Sequence, residues 1–103
     1  MNDAALYEVI SEVDVELVDA YERYMLDRHI PDVIATGRFR RAVFSKNAAG
    51  RYRVSYEAKD RASLDAYLET DAPSLREDLL EHFPTGIRLS REVWNELRTF
   101  DPV

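Results

Sequence analysis

The chain has 103 residues, of which 46% are hydrophobic and 33% are charged, and its net charge at pH 7 is −6. This length predicts a single domain over residues 1–103, and the hydrophobic fraction excludes an intrinsically disordered chain. No apolar run approaches the roughly 18 residues of a membrane span, which excludes an integral membrane protein and gives no reason to expect a membrane partner.

The N-terminal part predicts a strand followed by a helix. Residues 6–13 alternate between two faces and contain β-branched side chains, which is the pattern of a strand. Asp14 then suits the N-cap of a helix, because a short carboxylate accepts a hydrogen bond from the first turn. The helix carries an apolar stripe at three- and four-residue spacing, so one side faces a core. The stripe consists of Leu17, Val18, Tyr21, Tyr24 and Met25, and the same spacing continues to His29.

A proline follows this helix. Pro31 is expected to end or kink the helix, because Ile30 before it is disfavoured in the α region. Residues 31–35 then suit a short helical turn that begins with the proline. Gly37 is expected to close that turn in a left-handed conformation.

The middle of the chain predicts a β-hairpin and the start of a second helix. Residues 38–46 and 51–58 alternate, and the Asn47-Ala48-Ala49-Gly50 connection between them ends in a residue that tolerates positive φ. Asp60 is the predicted N-cap of the next helix.

The second helix and a fourth strand complete the predicted elements. Pro73 breaks the helical run, although proline also suits the start of a new helix. Residues 87–94 alternate and predict a strand. The core is expected to span about residues 6–97, with residues 98–103 as a tail, and residues 95–103 could form one further turn.

The order of the elements predicts an α+β protein with the ferredoxin-like βαββαβ topology. This topology gives a four-stranded antiparallel sheet with two helices on one face. Right-handed crossovers place the first and third strands in the centre.

The sheet face that the helices leave uncovered predicts a homodimer. Apolar side chains occur on both faces of three strands, and another copy of the same sheet is the simplest cover. The alternative is a monomer with scattered exposed apolar residues, which are common. Glu8 and Glu12 can lie across from Arg51 and Arg53, so the space between two sheets is either a salt-bridged interface or a polar cavity.

Charge and cysteine content restrict the partners and the compartment. An acidic chain argues against a general nucleic-acid-binding protein. Residues 38–53 nevertheless contain six cations and no acid, which suits either an anionic partner or a solvated sheet edge. Cysteine is absent and the first residues lack a basic signal region, so a cytoplasmic location is expected.

His29 is the leading candidate for a functional residue. It continues an apolar stripe near the predicted end of a helix, where the helix dipole favours a cation and is expected to raise the pKa of the imidazole. His29 is either an acid–base group at the mouth of a cleft between helix and sheet, or a structural residue that caps helix carbonyls. Asp32 either orients His29 or simply occupies the first turn of the short helix.

The other candidate ligand-binding residues are Tyr56 and Arg53. Six tyrosines and one tryptophan could line a pocket for a planar ligand, or could form an ordinary core with hydroxyls at the surface. The three glycines are isolated, so no phosphate-binding loop is predicted. The two histidines lack a metal-binding spacing, and we expect neither a metal nor a cofactor.

Several short motifs occur in a fixed order along the chain. They are Tyr7-Glu8-Val9, His29-Ile30-Pro31-Asp32, Thr36-Gly37 before the aromatic Phe39, Tyr52-Arg53-Val54-Ser55-Tyr56, Tyr67-Leu68, Ala72-Pro73 and His82-Phe83-Pro84. With these motifs the chain resembles a family of small bacterial proteins of unknown function in the dimeric α/β-barrel superfamily, over about residues 6–97. The resemblance implies a ferredoxin-like protomer and a homodimer formed sheet to sheet, and it implies no activity. Members of the wider superfamily include cofactor-free monooxygenases, isomerases, haem-binding enzymes and binding modules.

Two functions follow from these observations. The favoured one is a ligand-binding or structural homodimer without catalytic activity. The alternative is a small cofactor-independent enzyme, monooxygenase- or isomerase-like, that acts on a planar aromatic or carbonyl substrate. In that case His29 handles protons, while Tyr56 or Arg53 holds an anionic oxygen.

Overall fold

Four antiparallel strands form one sheet in the order β2-β3-β1-β4. A computed structural model describes residues 3–103. The first and third strands are central, which confirms the ferredoxin-like topology. The strands are β1 (Ala5–Val13), β2 (Arg41–Lys46), β3 (Arg51–Ala58) and β4 (Ile87–Asn95).

Two helical arms pack on one face of this sheet, and each arm contains a π-helical turn. The first arm consists of a 3-10 turn (Val15–Leu17), α1 (Val18–Tyr24), a π turn (Met25–His29) and α2 (Ile30–Ala35). The second arm consists of α3 (Arg61–Ala66), a π turn (Tyr67–Asp71) and α4 (Ala72–His82).

The π turns carry both arms through their prolines without a break. Ile30 has helical dihedral angles, so the prediction that Pro31 displaces it from the α region is wrong. Pro31 and Pro73 each lie in the first turn of the α-helix that follows a π turn. The wider π turn relieves the clash between a proline ring and the carbonyl one turn earlier, and it tolerates the missing N–H.

Strand periodicity places the core between the arms and the sheet, as predicted. Tyr52, Val54 and Tyr56 of β3 are at most 2% exposed and face the arms, whereas Arg51 and Arg53 alternate with them and are exposed. The Ser11 hydroxyl is buried on the same side and forms a 2.6 Å hydrogen bond with the Tyr21 hydroxyl. Because side chains alternate along each strand, the sheet has one aromatic face toward the arms and one open face with both charged and apolar side chains.

Two local predictions fail. Asp14 precedes the first helical arm but makes no side-chain capping bond. Its carboxylate accepts a 3.1 Å hydrogen bond from Arg88 of β4 instead, which draws it away from the helix N-terminus. The segment after β4 forms no further helical turn, and its apolar side chains Leu97 and Phe100 stay exposed instead of joining the core.

None of the helices within residues 3–103 is long and apolar enough to cross a membrane.

The N-cap of α3 provides a test of local stability. The Asp60 carboxylate accepts a 2.8 Å hydrogen bond from the Ser63 backbone N–H, as the sequence predicts. We expect Asp60→Ala to lower the free energy of unfolding by about 1 kcal/mol, because that N–H loses its acceptor.

Urea denaturation monitored by circular dichroism measures this loss. The matched control is Asp65→Ala, which removes only an exposed ion pair with Arg61 on the same helix. Such pairs contribute roughly 0.3–0.5 kcal/mol, so equal losses in both variants would contradict the capping role.

Candidate functional site

A small cavity lies between the two helical arms and the centre of the sheet. Its volume is about 20 Å³, which is room for roughly one water molecule. Both π turns contribute to it: His29 is the last residue of the first, and Tyr67 is the first residue of the second. π turns inside α-helices are frequent at functional sites. The twelve lining residues are Tyr7, Val9, Tyr21, Met25, His29, Val54, Tyr56, Tyr67, Arg76, Leu79, Leu89 and Arg91.

His29 connects this cavity with the surface. Its side chain is half-buried, and its Nδ1 atom is buried without a hydrogen-bond partner among the described residues. Burial lowers the pKa of the imidazole below its usual 6.5, and the charges of Asp78 and Asp32 offset only part of this effect. His29 is therefore a neutral imidazole at neutral pH with one free ring nitrogen inside the protein.

The predicted increase in the pKa of His29 is consequently wrong. That prediction assumed that the helix ends near His29, where the dipole stabilises a cation. The helical arm instead continues through Pro31 to Ala35, so His29 lies in the interior of the arm and loses the dipole contribution. Desolvation then determines the direction of the shift.

Two arginines place positive charge at the cavity. Arg76 donates a 3.1 Å hydrogen bond from one terminal nitrogen to the Tyr7 hydroxyl, while its Nε atom is buried and has no partner in the part of the chain that the structure describes. Arg91 projects from β4 toward the same cavity. Neither arginine forms an ion pair with any of residues 3–103, and none of the described lining residues is acidic. The cavity is therefore cationic and holds an unused N–H donor.

Tyrosine rings form one wall of the cavity. The ring of Tyr56 lies 6.0 Å from that of Tyr7 and 5.1 Å from that of Phe39, measured between centroids. The Tyr67 ring contacts Tyr7 and Phe39 at 6.0 and 4.8 Å. Burial raises the pKa values of Tyr56 and Tyr67 above their usual 10, so both hydroxyls stay protonated at neutral pH. The wall offers flat apolar surface together with neutral hydroxyl groups.

Two of the four residues singled out from the sequence meet at this cavity. His29 and Tyr56 both line it. Asp32 is exposed and does not line the cavity, and it acts on His29 only through its charge. Arg53 lies on the opposite face of the sheet, because β3 turns Tyr52, Val54 and Tyr56 toward the arms.

The cations of the cavity were missed from the sequence, although a signal was present. Arg91 shares the face of Leu89 and Val93 in β4, and Arg76 falls on the buried side of α4 with Ala72 and Leu79. A cation in register with core residues indicates a charge beside the core; here Arg76 is partly buried and Arg91 is exposed. Within the described residues, no group of three or more acidic, histidine or cysteine side chains is arranged to hold a metal ion.

Comparison with known proteins places the chain in a family. A family model described as a domain of unknown function, DUF4286, matches residues 4–97. The chain belongs to this family. A comparison with curated proteins gave no match. The resemblance found in the motifs is thereby confirmed.

Solved structures show the same fold at low sequence identity. A variant of SnoaB, a cofactor-independent oxygenase from Streptomyces nogalater, has a TM-score of 0.75 at 11% identity, with 97% of this chain and 99% of that chain covered. HapK from Hahella chejuensis has a TM-score of 0.68 at 20% identity, covering 97% and 98%. A protein from Nitrosomonas europaea described as a candidate antibiotic biosynthesis monooxygenase has a TM-score of 0.70 at 15% identity. The match covers 94% of this chain and 93% of that chain. The DUF4286 chain therefore shares the fold of the dimeric α/β-barrel proteins.

The environment of His29 predicts a pH effect that NMR can measure. We expect the imidazole to titrate below pH 6.5, because burial penalises its charged form. Since the unfolded chain then binds a proton more readily than the folded one, stability should fall as the pH drops from about 6.5 through the lower folded pKa.

A His29→Gln variant assigns the resonance and should remove this part of the pH dependence of unfolding. A titration at or above pH 6.5 in the folded protein would show that the ring is solvated, contrary to the buried environment described above.

Proposed function

We propose that the protein is a homodimeric binding protein that holds a small organic anion in the cavity of each protomer. One observation carries this proposal: among residues 3–103, His29 Nδ1 and Arg76 Nε are buried polar atoms without partners, and both residues line one cavity whose described lining has no acidic side chain. A buried unsatisfied polar group costs about 1–3 kcal/mol, so a protein keeps such groups mainly where another molecule satisfies them.

The lining residues support a particular class of ligand. A guanidinium favours carboxylate, phenolate or enolate oxygens, with which it forms charge-assisted hydrogen bonds. The tyrosine rings favour a flat apolar body next to that oxygen. A planar aromatic or enolic acid has both features. No cofactor is needed for such binding.

Binding of this ligand can be tested with benzoate as the probe. Isothermal titration calorimetry should detect benzoate, whereas the neutral isostere benzamide should bind at least tenfold more weakly because it lacks the charge that Arg76 recognises. Arg76→Gln should weaken benzoate binding at least tenfold, since charged hydrogen bonds contribute about 1.5–3 kcal/mol.

Arg61→Gln is the matched control, because Arg61 is exposed and forms an ion pair with Asp65 on its own helix. Equal binding of benzoate and benzamide would contradict an anion site. Loss of binding in the Arg61→Gln control would point to net charge rather than to the cavity.

Catalysis of a proton transfer is the second candidate function. The neutral Nδ1 of His29 can accept a proton from an acidic C–H or O–H group, while Arg76 stabilises the resulting enolate or phenolate oxygen. The name of SnoaB describes a cofactor-independent oxygenase, and an identity of 11% carries the fold alone. Turnover separates the two functions: a binding protein converts no planar acid under any condition, whereas an enzyme shows turnover that His29→Gln abolishes even at saturating substrate.

The open face of the sheet supports a homodimer. Trp94 and Val43 on this face are 51% and 49% exposed. Glu8 and Glu92 lie directly opposite each other on adjacent strands, where like charges destabilise a sheet. Within residues 3–103 neither glutamate has an ion-pair partner. Arg53 lies on the same face, opposite Ile10 of β1, and it also lacks an ion-pair partner among these residues. A second copy related by a twofold axis can bring Arg53 to these glutamates and cover the apolar side chains.

Charge reversal tests this interface. Sedimentation velocity should give a dimer for the natural sequence. Arg53→Glu should raise the dissociation constant about 100-fold, because like charges brought together at an interface cost several kcal/mol. Adding Glu8→Arg to the same chain should restore the dimer by exchanging the two charges.

Arg23→Glu makes the same change on the exposed side of α1 and should leave the dimer intact. A monomer of the natural sequence, or a dimer unaffected by Arg53→Glu, would exclude this interface. The cytoplasmic location and the bacterial origin stay predictions from the sequence.

A further inference from the structure

The cavity is too small for the ligand class that it suits. Its volume of about 20 Å³ compares with roughly 300–1,000 Å³ for typical ligand pockets. Its sheet side is fixed by the backbone hydrogen bonds of β1 with β3 and β4. Admission of an organic anion therefore requires the two helical arms to separate.

Asp78 joins the two arms next to residues that line the cavity. Its Oδ2 atom accepts a 2.5 Å hydrogen bond from the Tyr24 hydroxyl, and its Oδ1 atom accepts a 2.7 Å hydrogen bond from Arg28. Tyr24 and Arg28 lie on the first arm beside Met25 and His29, which line the cavity. Asp78 lies on the second arm between Arg76 and Leu79, which line it from the other side.

The same contact sets the position of the His29 ring. Tyr24 packs its ring against His29 with centroids 5.9 Å apart and an interplanar angle of 30°. The Tyr24 ring also packs against the rings of His82 and Phe83, with centroids 4.5 and 5.5 Å away. Because Asp78 holds the Tyr24 hydroxyl, it also fixes the aromatic surface that keeps His29 turned toward the cavity.

A second ion pair joins the arms on the far side of His29. Arg38, which follows the first arm, donates a 3.0 Å hydrogen bond to Asp71 of the second π turn. The arms are thus tied at two points along the chain, and His29 lies between them in sequence. Asp78 makes the larger set of contacts, since one carboxylate engages two residues of the opposite arm.

From this geometry we propose that Asp78 is a positioning residue that holds the arms closed over the cavity and thereby controls entry of the anionic ligand. The inference rests on the proposed function for the identity of the ligand, but the closing contact itself can be tested without any ligand. Loss of the contact between Asp78 and the first arm should separate α1 from α4 and let water reach His29.

The pKa of His29 can be measured without a ligand, and two roles of Asp78 predict opposite changes of this pKa in the Asp78→Ala variant. If Asp78 acts on His29 only through its charge, Asp78→Ala removes a stabilising anion and lowers the pKa of the imidazole further. If Asp78 holds the arms closed, the variant hydrates the ring and raises its pKa toward 6.5, because burial is the larger effect. We expect the increase. A decrease or no change in the NMR titration would overturn the proposal.

Hydrogen exchange and ligand kinetics complete the experiment. In Asp78→Ala, backbone amides of residues 24–30 and 75–82 should exchange at least tenfold faster, while those of β1 and β3 stay protected. Faster exchange in the sheet as well would mean global destabilisation and would overturn a local closing role. Asp65→Ala is the matched control, since its carboxylate pairs within one arm.

Stopped-flow binding of benzoate separates failure of this inference from failure of the proposed function. Faster association in Asp78→Ala than in Asp65→Ala, by about tenfold, supports control of entry. Binding to the natural protein with an unchanged association rate in Asp78→Ala overturns it. Absence of benzoate binding in every variant would reject the ligand class, and the pKa and exchange results would still decide the role of Asp78.

Discussion

All six tyrosines are buried in the core between the helical arms and the sheet, and their packing determines where several polar groups lie. A buried tyrosine contributes a large apolar surface but usually requires a partner for its hydroxyl. Tyr21 therefore pairs with Ser11, Tyr24 with Asp78 and Tyr7 with Arg76. A core of leucine and valine would require none of these partners. The position of Arg76 beside the cavity thus follows from the aromatic packing of the core.

The π turns add to this arrangement by placing one more residue in a helical turn than an α-helix holds. The extra residue carries each arm past its proline and turns His29 and Tyr67 toward the sheet. The two turns lie on different arms but face the same cavity. A fold that needed only to cover the sheet could use two regular helices, so the paired π turns distinguish this interior from a simple core.

Much of the fold could be predicted from the sequence, because strand parity depends on a short and regular period. The alternation of Tyr52, Val54 and Tyr56 with charged residues identified the core face of β3 directly. The π turns could not be predicted, since a proline preceded by a helical stripe has the same pattern whether the helix ends or widens. That ambiguity also reversed the expected pKa shift of His29, whose sign depends on where the helix ends. The role of Arg76 was hidden because charged residues in a helix are normally assigned to the solvent side.

The central strands link the two proposed surfaces of the molecule. In β1, Tyr7 and Val9 face the cavity, whereas Glu8 and Ile10 face the open side where a second copy is proposed to pack. A sheet held by hydrogen bonds along both edges of β1 and covered by another sheet has little freedom to bend. Any expansion of the cavity must then come from the helical arms, whose outer surfaces face solvent. Dimerisation through the open face would in this way direct the motion for ligand entry to the seam between the arms, where Asp78 forms its contacts with Tyr24 and Arg28.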